Sequence, residues 1–238
     1  MTTERAVLLI ADIGGYTEYM GSHRMSLAHA EVNTARMLER IIGAAPGFNL
    51  IEIEGDAAFL SRRADAADPD LDPDPTVNGI LHVAVAMHRA FHLERKYVAA
   101  NLCPCGGCKE ARDLKLKFVA HVGEVARQTI RGRIKLVGID VILVHRLLKN
   151  SVPIPEYVLL SEDLYSTAET SLPDTVREIL SDLEGIGTVR AHYVDVADLD
   201  SLPPLPAPSW RKRLASTFGA VGRGMPYMLG LKQARRAR

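Results

Sequence analysis

The sequence predicts an α+β domain with helices packed on a mostly antiparallel sheet around a ferredoxin-like β-α-β-β-α-β core. Short apolar runs of strand length alternate with longer segments whose apolar residues repeat at helical spacing. Turn residues between neighbouring short runs predict hairpins. Of the 238 residues, 47% are apolar and 24% are charged, which is ordinary globular usage and excludes a largely disordered chain.

Each predicted element depends on a local pattern. A continuous apolar run near the start is typical of a strand covered on both faces. Gly55 and Asp56 separate the strands of a hairpin, and Gly43 and Pro46 end the first helix. A later helix is expected to begin at Pro173. In chain order the predicted elements are strand Ala6–Ala11, helix Ser26–Ile42, strands Asn49–Glu54 and Ala57–Ser61, helix Val77–Tyr97, strands Leu114–Val122 and Ala126–Val137, helix Ile139–Leu148, strand Tyr157–Leu160, helix Leu172–Leu180 and strand Thr188–Val196.

The charge distribution divides the chain into an acidic body and a basic tail. Lys plus Arg and Asp plus Glu each number 29, yet the residues after 200 include eight basic and no acidic side chains. Prolines between Pro203 and Pro208 indicate a linker. We therefore predict a domain over residues 5–200, followed by a Pro-containing linker and basic tail over 201–238. The tail suits an anionic membrane surface or a docking peptide, and equally a solvated disordered segment.

Neither a membrane span nor a secretory leader is recognised. There is no run of about 18 apolar residues, and the first residues lack the basic-then-apolar layout of a signal peptide. Three cysteines within six residues do not make a disulfide framework. We expect a cytoplasmic protein, with the basic tail as a means of peripheral membrane contact. No nucleic-acid-binding module is recognised, so specific nucleic-acid binding is not expected.

Two aspartates are predicted to meet at one end of the sheet. Asp12 directly follows the first strand, and Asp56 lies in the hairpin turn. In a β-α-β-β layout the first strand pairs with the hairpin, so the two carboxylates could hold divalent cations while glycine amides hold phosphate. A plainer interpretation also fits the spacing, because Asp12 could cap the next helix and Asp56 could be only a turn residue.

Five sequence blocks, in order, resemble the catalytic domains of class III adenylyl and guanylyl cyclases. The resemblance spans about residues 5–197 and indicates an uncharacterised bacterial branch of cyclase-like proteins. It implies the cyclase version of the α+β fold described above. The blocks are Asp12–Thr17, Glu52–Ala57, His121–Glu124, Gly138–Leu147 and Leu183–Gly187.

The resemblance also implies roles for individual residues. Asp12 and Asp56 fall on the two metal-binding aspartates, joined by the Ile13 carbonyl, with Mg²⁺ or Mn²⁺ as the ions. Arg146 falls on the catalytic arginine that stabilises charge developing on the reacting phosphate. Because the metals and this arginine come from opposite chains in that family, the resemblance implies a homodimer that binds purine nucleoside triphosphate. The residues on the triphosphate turn and the base-selecting pair are Gly14, Gly15, Tyr16, Thr17, Glu52 and Lys135.

The sequence departs from the family pattern at the nucleotide. Ile142 replaces the asparagine that orients the ribose, and Glu184 replaces the lysine that binds the triphosphate. Lys135 matches neither usual base-selecting residue. Loss of a charge-stabilising donor typically lowers a rate by about 10²–10³, and misalignment by roughly 10² more.

We therefore expect a degenerate cyclase domain that retains nucleotide or metal binding. One alternative is an active adenylyl or guanylyl cyclase, in which the alignment shifts by one residue and Lys149 supplies the missing cation. The other is a zinc-stabilised interaction module that binds no nucleotide.

Cys103, Cys105 and Cys108 have the spacing of a loop wrapped around a soft metal ion. Tetrahedral Zn²⁺ needs a fourth ligand, for which His92, His121 and a residue of a second chain are candidates. The alternative is a loop with three reduced thiols.

His88 and His92 share one face of a predicted helix, a spacing that suits a metal ion. No acidic residue is spaced to complete that site, so the sequence favours half-buried or surface histidines. His145 is interpreted as a packing residue.

Overall fold

Eight strands form one sheet in the part of the chain that the computed structural model describes, namely residues 3–22, 27–64, 77–101, 106–168 and 172–211, with 213, 214, 217 and 218. The strands are β1 (Thr3–Gly14), β2 (Asn49–Glu54), β3 (Ala57–Arg63), β4 (Lys115–Ile130), β5 (Arg133–Val137), β6 (Tyr157–Ser161), β7 (Arg177–Leu183) and β8 (Gly187–Asp195). The helices are α1 (Tyr16–Ser22), α2 (Leu27–Gly43), α3 (Val77–Ala99), α4 (Gly106–Glu110), α5 (Ile139–Leu147), α6 (Glu162–Tyr165) and α7 (Val196–Leu199).

The sheet is mixed but mostly antiparallel, as the sequence predicts. Its strand order is β2-β3-β1-β4-β6-β8-β7, and β5 extends it by pairing with the end of β4. The pairing of β4 with β6 is parallel, and the other pairings are antiparallel. The apolar run in β1 is fully buried because β1 lies between β3 and β4 and is covered on both faces.

Alternate residues of β1 enter two separate cores. Val7, Leu9 and Ile13 belong to the larger core, together with residues of α2 and α3, and we call this side of the sheet the α3 face. Leu8 and Ile10 belong to the smaller core, which includes residues of α5, and we call this side the α5 face. Because side chains alternate along a strand, Asp12 extends toward the α5 face.

Two predicted elements are wrong. The strand predicted at Ala126–Val137 is the end of β4 followed by β5, with a turn at Arg131 and Gly132. Both turn residues have positive φ, 50° and 77°, which is the conformation of a tight hairpin turn. Arginine is unusual at such a position, so the residue types there indicate a turn only weakly. The helix predicted at Leu172–Leu180 is also wrong.

Strand β7 takes the place of most of that helix. It pairs antiparallel with β8 from Arg177 to Leu183, and its two most buried residues, Ser181 and Leu183, alternate with exposed ones. Pro173 starts a turn, since its carbonyl accepts a hydrogen bond from the Val176 amide at 3.0 Å. Pairing with β8 therefore overrode a local pattern that also suited a helix.

The predicted linker is held against α3. Arg89 donates through Nη1 to both carboxylate oxygens of Asp200, at 2.8 and 3.0 Å, and through Nη2 to the Pro203 carbonyl at 2.7 Å. Lys96 donates to the Leu205 carbonyl at 3.2 Å. Most of the basic tail, from residue 219, and residues 65–76 lie outside the described residues. Across the described helices, no segment combines the length and apolarity needed to cross a membrane.

Candidate functional site

Asp12 and Asp56 lie next to each other at the end of β1. Asp12 pairs with Ala57 in the β1–β3 ladder, and the Ile13 amide donates to the Asp56 carbonyl at 3.3 Å. The pKa of the Asp56 carboxyl is raised above its ordinary value by burial and then by the nearby Asp12 carboxylate. The structure thus brings the two predicted carboxylates together, and their binding of a metal ion stays a prediction.

Lys117 is a part of this site that the sequence analysis missed. It lies opposite Asp12 in the β1–β4 ladder, with its Nζ 3.1 Å from Oδ2 of Asp12. Its charge partly offsets the repulsion between the carboxylates. Two neighbouring carboxylates supply the oxygen ligands that Mg²⁺ and Mn²⁺ prefer, so the residues present fit such an ion if the ammonium group of Lys117 moves aside. The contribution of the Ile13 carbonyl stays a prediction.

The turn after β1 has the backbone conformation that its glycines predict. Gly15 has a φ of 82°, in the left-handed region that favours glycine, and this lets the chain pass from β1 into α1. Tyr16 packs against the core of the α3 face and hydrogen-bonds with the Thr34 side chain, and burial raises the pKa of its phenol. The Tyr16 side chain therefore serves the core. The binding of phosphate by Gly14–Thr17 stays a prediction.

A pocket on the α5 face collects residues from separate sequence blocks. It has a volume of about 320 Å³ and is open to solvent. Glu52 of β2 and Lys135 of β5, the predicted base-selecting pair, line it together with Ile142 and Arg146 of α5. Two of the five blocks that carry the cyclase resemblance, Glu52–Ala57 and Gly138–Leu147, thus meet at one cavity of the fold.

Acidic side chains pair with the basic residues of α5. Oε2 of Glu54 lies 3.3 Å from Nδ1 of His145, whose ring also packs edge-on against Phe59. Oε2 of Glu184, at the position of the family's lysine, lies 3.8 Å from Nη1 of Arg146. The Glu184 side chain is 96% exposed, so this pair is weak. It nevertheless places a negative charge where the resemblance implies a positive one.

The His121–Glu124 block fixes the start of α5. His121 is buried, with Nδ1 2.7 Å from the Ser161 hydroxyl and Nε2 3.2 Å from Oδ1 of Asp140. The other oxygen of Asp140 accepts from the Glu124 amide at 2.6 Å. A Cβ atom on Gly123 would collide with the Asp140 side chain. The glycine therefore allows the contacts that set where Ile142 and Arg146 lie.

The cysteine cluster is described only in part, because Cys103 and Cys105 lie outside the described residues. Cys108 is buried in α4, and its sulfur accepts from the side-chain amides of Asn33 at 3.5 Å and Asn101 at 3.4 Å. Asn33 belongs to α2, on the α3 face, whereas His121 binds Ser161 and Asp140 at the start of α5. This separation argues against His121 as the fourth ligand. Zinc binding here stays a prediction, which the zinc content of purified protein would check.

The expectation that His88 and His92 have no acidic partner is wrong. Glu156, immediately before β6, brings Oε1 to 2.7 Å from Nε2 of His92 and 3.3 Å from Nε2 of His88. This partner is 64 residues from His92 along the chain, so helical spacing could not reveal it.

Sequence comparison places the chain in a family without an assigned function. The sequence model of a family described as "Protein of unknown function (DUF2652)" matches residues 34–157. The uncharacterized protein Rv2561/Rv2562 of Mycobacterium tuberculosis (strain ATCC 25618 / H37Rv) is 35% identical over 202 residues, which cover 84% of this chain and 91% of the relative.

Structural comparison finds nucleotide cyclases. The catalytic core of a rhodopsin-guanylyl cyclase in complex with ATPalphaS matches with a TM-score of 0.57 and 15% identity, over 81% of this chain and 97% of its own. The adenylyl cyclase CyaB from P. aeruginosa matches with a TM-score of 0.52 and 19% identity, over 87% of this chain and 100% of its own.

A third solved structure is a class III adenylyl cyclase-like ATP-binding protein from Pseudomonas aeruginosa. Its TM-score is 0.52 at 21% identity, over 70% of this chain and 35% of that protein. At such low identities the similarity shows the fold alone. The chain thus belongs to the DUF2652 family of proteins of unknown function and has the fold of class III nucleotide cyclase catalytic domains.

Proposed function

We propose that this protein is a degenerate class III cyclase-like domain that binds a purine nucleoside triphosphate with Mg²⁺ or Mn²⁺ at a dimer interface and has a regulatory role. The observation that carries the proposal is the pocket on the α5 face. It retains a polar pair, Glu52 and Lys135, and the cation of Arg146. The same pocket contains Ile142 where a cyclase has its ribose-orienting asparagine.

Binding is supported by the charges of the described residues. The Asp12 and Asp56 carboxylates form a concentrated negative site suited to a divalent cation, and a bound cation would in turn attract a polyphosphate. Lys135 and Arg146 supply cations at the pocket, and in the dimer that the resemblance implies, the Arg146 that meets these carboxylates belongs to the second copy. One structural neighbour named as cyclase-like is also named as ATP-binding, a precedent for nucleotide binding by a protein of this fold.

Weak cyclisation follows from two side chains. Ile142 offers no hydrogen bond to a ribose, so the reactive hydroxyl group would be poorly oriented. Poor orientation of a reacting group lowers the reaction rate. Glu184 presents a carboxylate toward Arg146 at 3.8 Å and would repel a triphosphate. The Ile142 change acts on the reacting hydroxyl group and lowers turnover, whereas the Glu184 change lowers both turnover and affinity for the triphosphate.

The dimer is supported by exposed apolar side chains on the β4–β5 hairpin and on α5, of which Ile142 lines the pocket. The four isoleucines concerned are each 47–60% exposed, and they lie on the β4–β5 hairpin and on α5. A second copy packed here would bury them and could complete the nucleotide site. They are Ile130, Ile134, Ile139 and Ile142.

Thermal denaturation with ATP or GTP and Mn²⁺ tests the proposal. We expect a nucleotide-dependent rise in Tm that is lost in Asp12→Asn and kept in Asp198→Asn, a matched change at an exposed aspartate of α7. A parallel assay measures cyclic nucleotide. Abundant cyclic product would favour the active-cyclase alternative. No response to either nucleotide would favour an interaction module and contradict the proposal.

A further inference from the structure

Three metal-ligating side chains converge at one end of the sheet, beside α3. His88 and His92 lie one helical turn apart on α3, and their Nε2 atoms are 2.9 Å apart. Oε1 of Glu156 lies 2.7 Å from the His92 nitrogen and 3.3 Å from the His88 nitrogen. Three atoms that carry lone pairs therefore surround a single point.

This cluster is separate from the carboxylates proposed to bind Mg²⁺ or Mn²⁺. It is built on α3, which covers one face of the sheet, whereas Asp12 extends toward the other face. Its side chains are only 11–19% exposed. It is thus shielded from bulk water but still reachable by a solvent molecule.

Hydrogen bonding alone satisfies this arrangement poorly. If both imidazoles carry a proton on Nε2, the two N–H groups point at the same carboxylate oxygen from 2.9 Å apart and repel each other. If only one does, its single proton must serve both the other imidazole and Glu156. The same Oε1 already accepts the Leu116 amide at 3.0 Å. A cation at the centre would engage all three lone pairs at once.

The distances suit a transition-metal ion. With bonds of about 2.1 Å, ligand atoms at right angles lie about 3.0 Å apart, and tetrahedral ones about 3.4 Å apart. The observed separations of 2.7, 2.9 and 3.3 Å span the first of these values and approach the second. Small side-chain adjustments would complete the geometry.

The surroundings help to hold the carboxylate in place. The Leu116 amide of β4 fixes Oε1 of Glu156, which is the role that outer hydrogen bonds play around metal ligands. Arg95 is a nearby cation that opposes a metal ion. It interacts with Glu156 and, less strongly, with Asp113, and its guanidinium donates to the Leu114 carbonyl. Asp200, paired with Arg89, adds negative charge near His88.

We propose that His88, His92 and Glu156 bind one divalent transition-metal ion of the Zn²⁺ class, which fastens α3 to the start of β6. Two imidazoles and one carboxylate favour Zn²⁺ and similar ions over Mg²⁺, which prefers oxygen ligands. Water would fill the remaining coordination positions. The proposal does not depend on nucleotide binding at the α5 face.

Metal titration of the full-length chain tests this site. The parent protein contains Cys103→Ser and Cys105→Ser, so that thiolates cannot account for binding, and chelator removes any bound metal. Zn²⁺ is titrated by calorimetry, Co²⁺ by visible absorption, and Mg²⁺ serves as the negative control. We expect one Zn²⁺ per chain and a Zn²⁺-dependent rise in Tm.

Variants identify the ligands. Glu156→Gln, which is nearly isosteric, should weaken Zn²⁺ binding by about tenfold or more, and His92→Ala should abolish it. His82→Ala, at an exposed histidine of the same helix, should bind as the parent does. Circular dichroism checks folding, and if His92→Ala is misfolded, Glu156→Gln decides. No Zn²⁺ binding by the parent, or unchanged binding in Glu156→Gln, would overturn the proposal.

Discussion

At the level of single residues, the ionised Asp56 carboxylate destabilises the folded protein when no metal ion is bound. Burial and the Asp12 carboxylate raise its pKa, so the folded state binds its proton more tightly than the unfolded state does. The free energy of unfolding therefore decreases as the pH rises from the ordinary carboxyl value of 3.8 through the raised one. At neutral pH the ionised group opposes folding.

Replacing this carboxylate should stabilise the metal-free protein. In chelator at pH 7, we expect Asp56→Asn to raise the Tm by about 1–3 °C, a modest effect because the group is half exposed. The gain should vanish as the pH falls below 3.8, where the wild-type group is protonated in both states. In the Asp56→Asn variant, the rise in Tm that Mn²⁺ causes in the wild type should also be lost. A lower Tm in chelator would contradict this account of the site.

Restoring the family's cation should strengthen nucleotide binding. Glu184→Lys removes a carboxylate near Arg146 and adds an ammonium group, so we expect ATP or GTP affinity to increase by about tenfold or more. Glu178→Lys, at another exposed acid of the same hairpin, is the matched control. Calorimetry measures both. Equal affinities in the two variants would show that position 184 does not face the phosphates.

The residues that sequence reasoning found differ in kind from those it missed. Asp12 and Asp56 could be paired because a strand and the hairpin beside it meet predictably. Lys117 and Glu156 could not, because each depends on a pairing between segments distant in sequence. Their residue types and local spacing gave no sign of a partner.

At the level of elements, the position of α5 depends on one glycine. Gly123→Ala would place a methyl group against the Asp140 side chain and displace the start of the helix. We expect a loss of stability of about 1–3 kcal/mol, as for other overpacked sites, and weaker nucleotide binding because Arg146 moves. Chemical denaturation measures the first effect.

The double variant Gly123→Ala/Asp140→Ala separates collision from other causes. Removing the Asp140 side chain also removes the obstacle, so the effect of the alanine at 123 should be much smaller in that background. An unchanged effect would mean that Gly123 is needed for another reason.

Elements with a strong local pattern were predicted well, and the two errors arose where that pattern was weak. The continuous apolar run of β1 predicts a buried strand, and the amphipathic pattern of α2 predicts a helix. The segment around β7 contains apolar residues that suit either a helix or a strand, and its pairing with β8 decides between them. The Arg131–Gly132 turn depends on an arginine with positive φ, a conformation that the residue type does not predict.

At the level of the whole molecule, the exposed isoleucines of the β4–β5 hairpin and of α5 predict self-association. We expect the wild type to dimerise at micromolar concentration and Ile134→Glu to weaken the dimer by about tenfold or more, because a charge would be buried in the interface. Leu202→Glu, at an exposed leucine of the linker, should have no effect. Sedimentation equilibrium distinguishes these cases, and a monomeric wild type would refute the interface.

Two consecutive residues of β4 connect the two proposed ion sites. The Leu116 amide binds Glu156 beside α3, and the Lys117 side chain binds Asp12 on the opposite face. A cation at Asp12 that displaced Lys117 would shift the same short stretch of backbone that orients Glu156. By thermodynamic reciprocity, each ion must change the affinity of the protein for the other ion by the same factor. The start of β4 would therefore couple the two ion-binding equilibria.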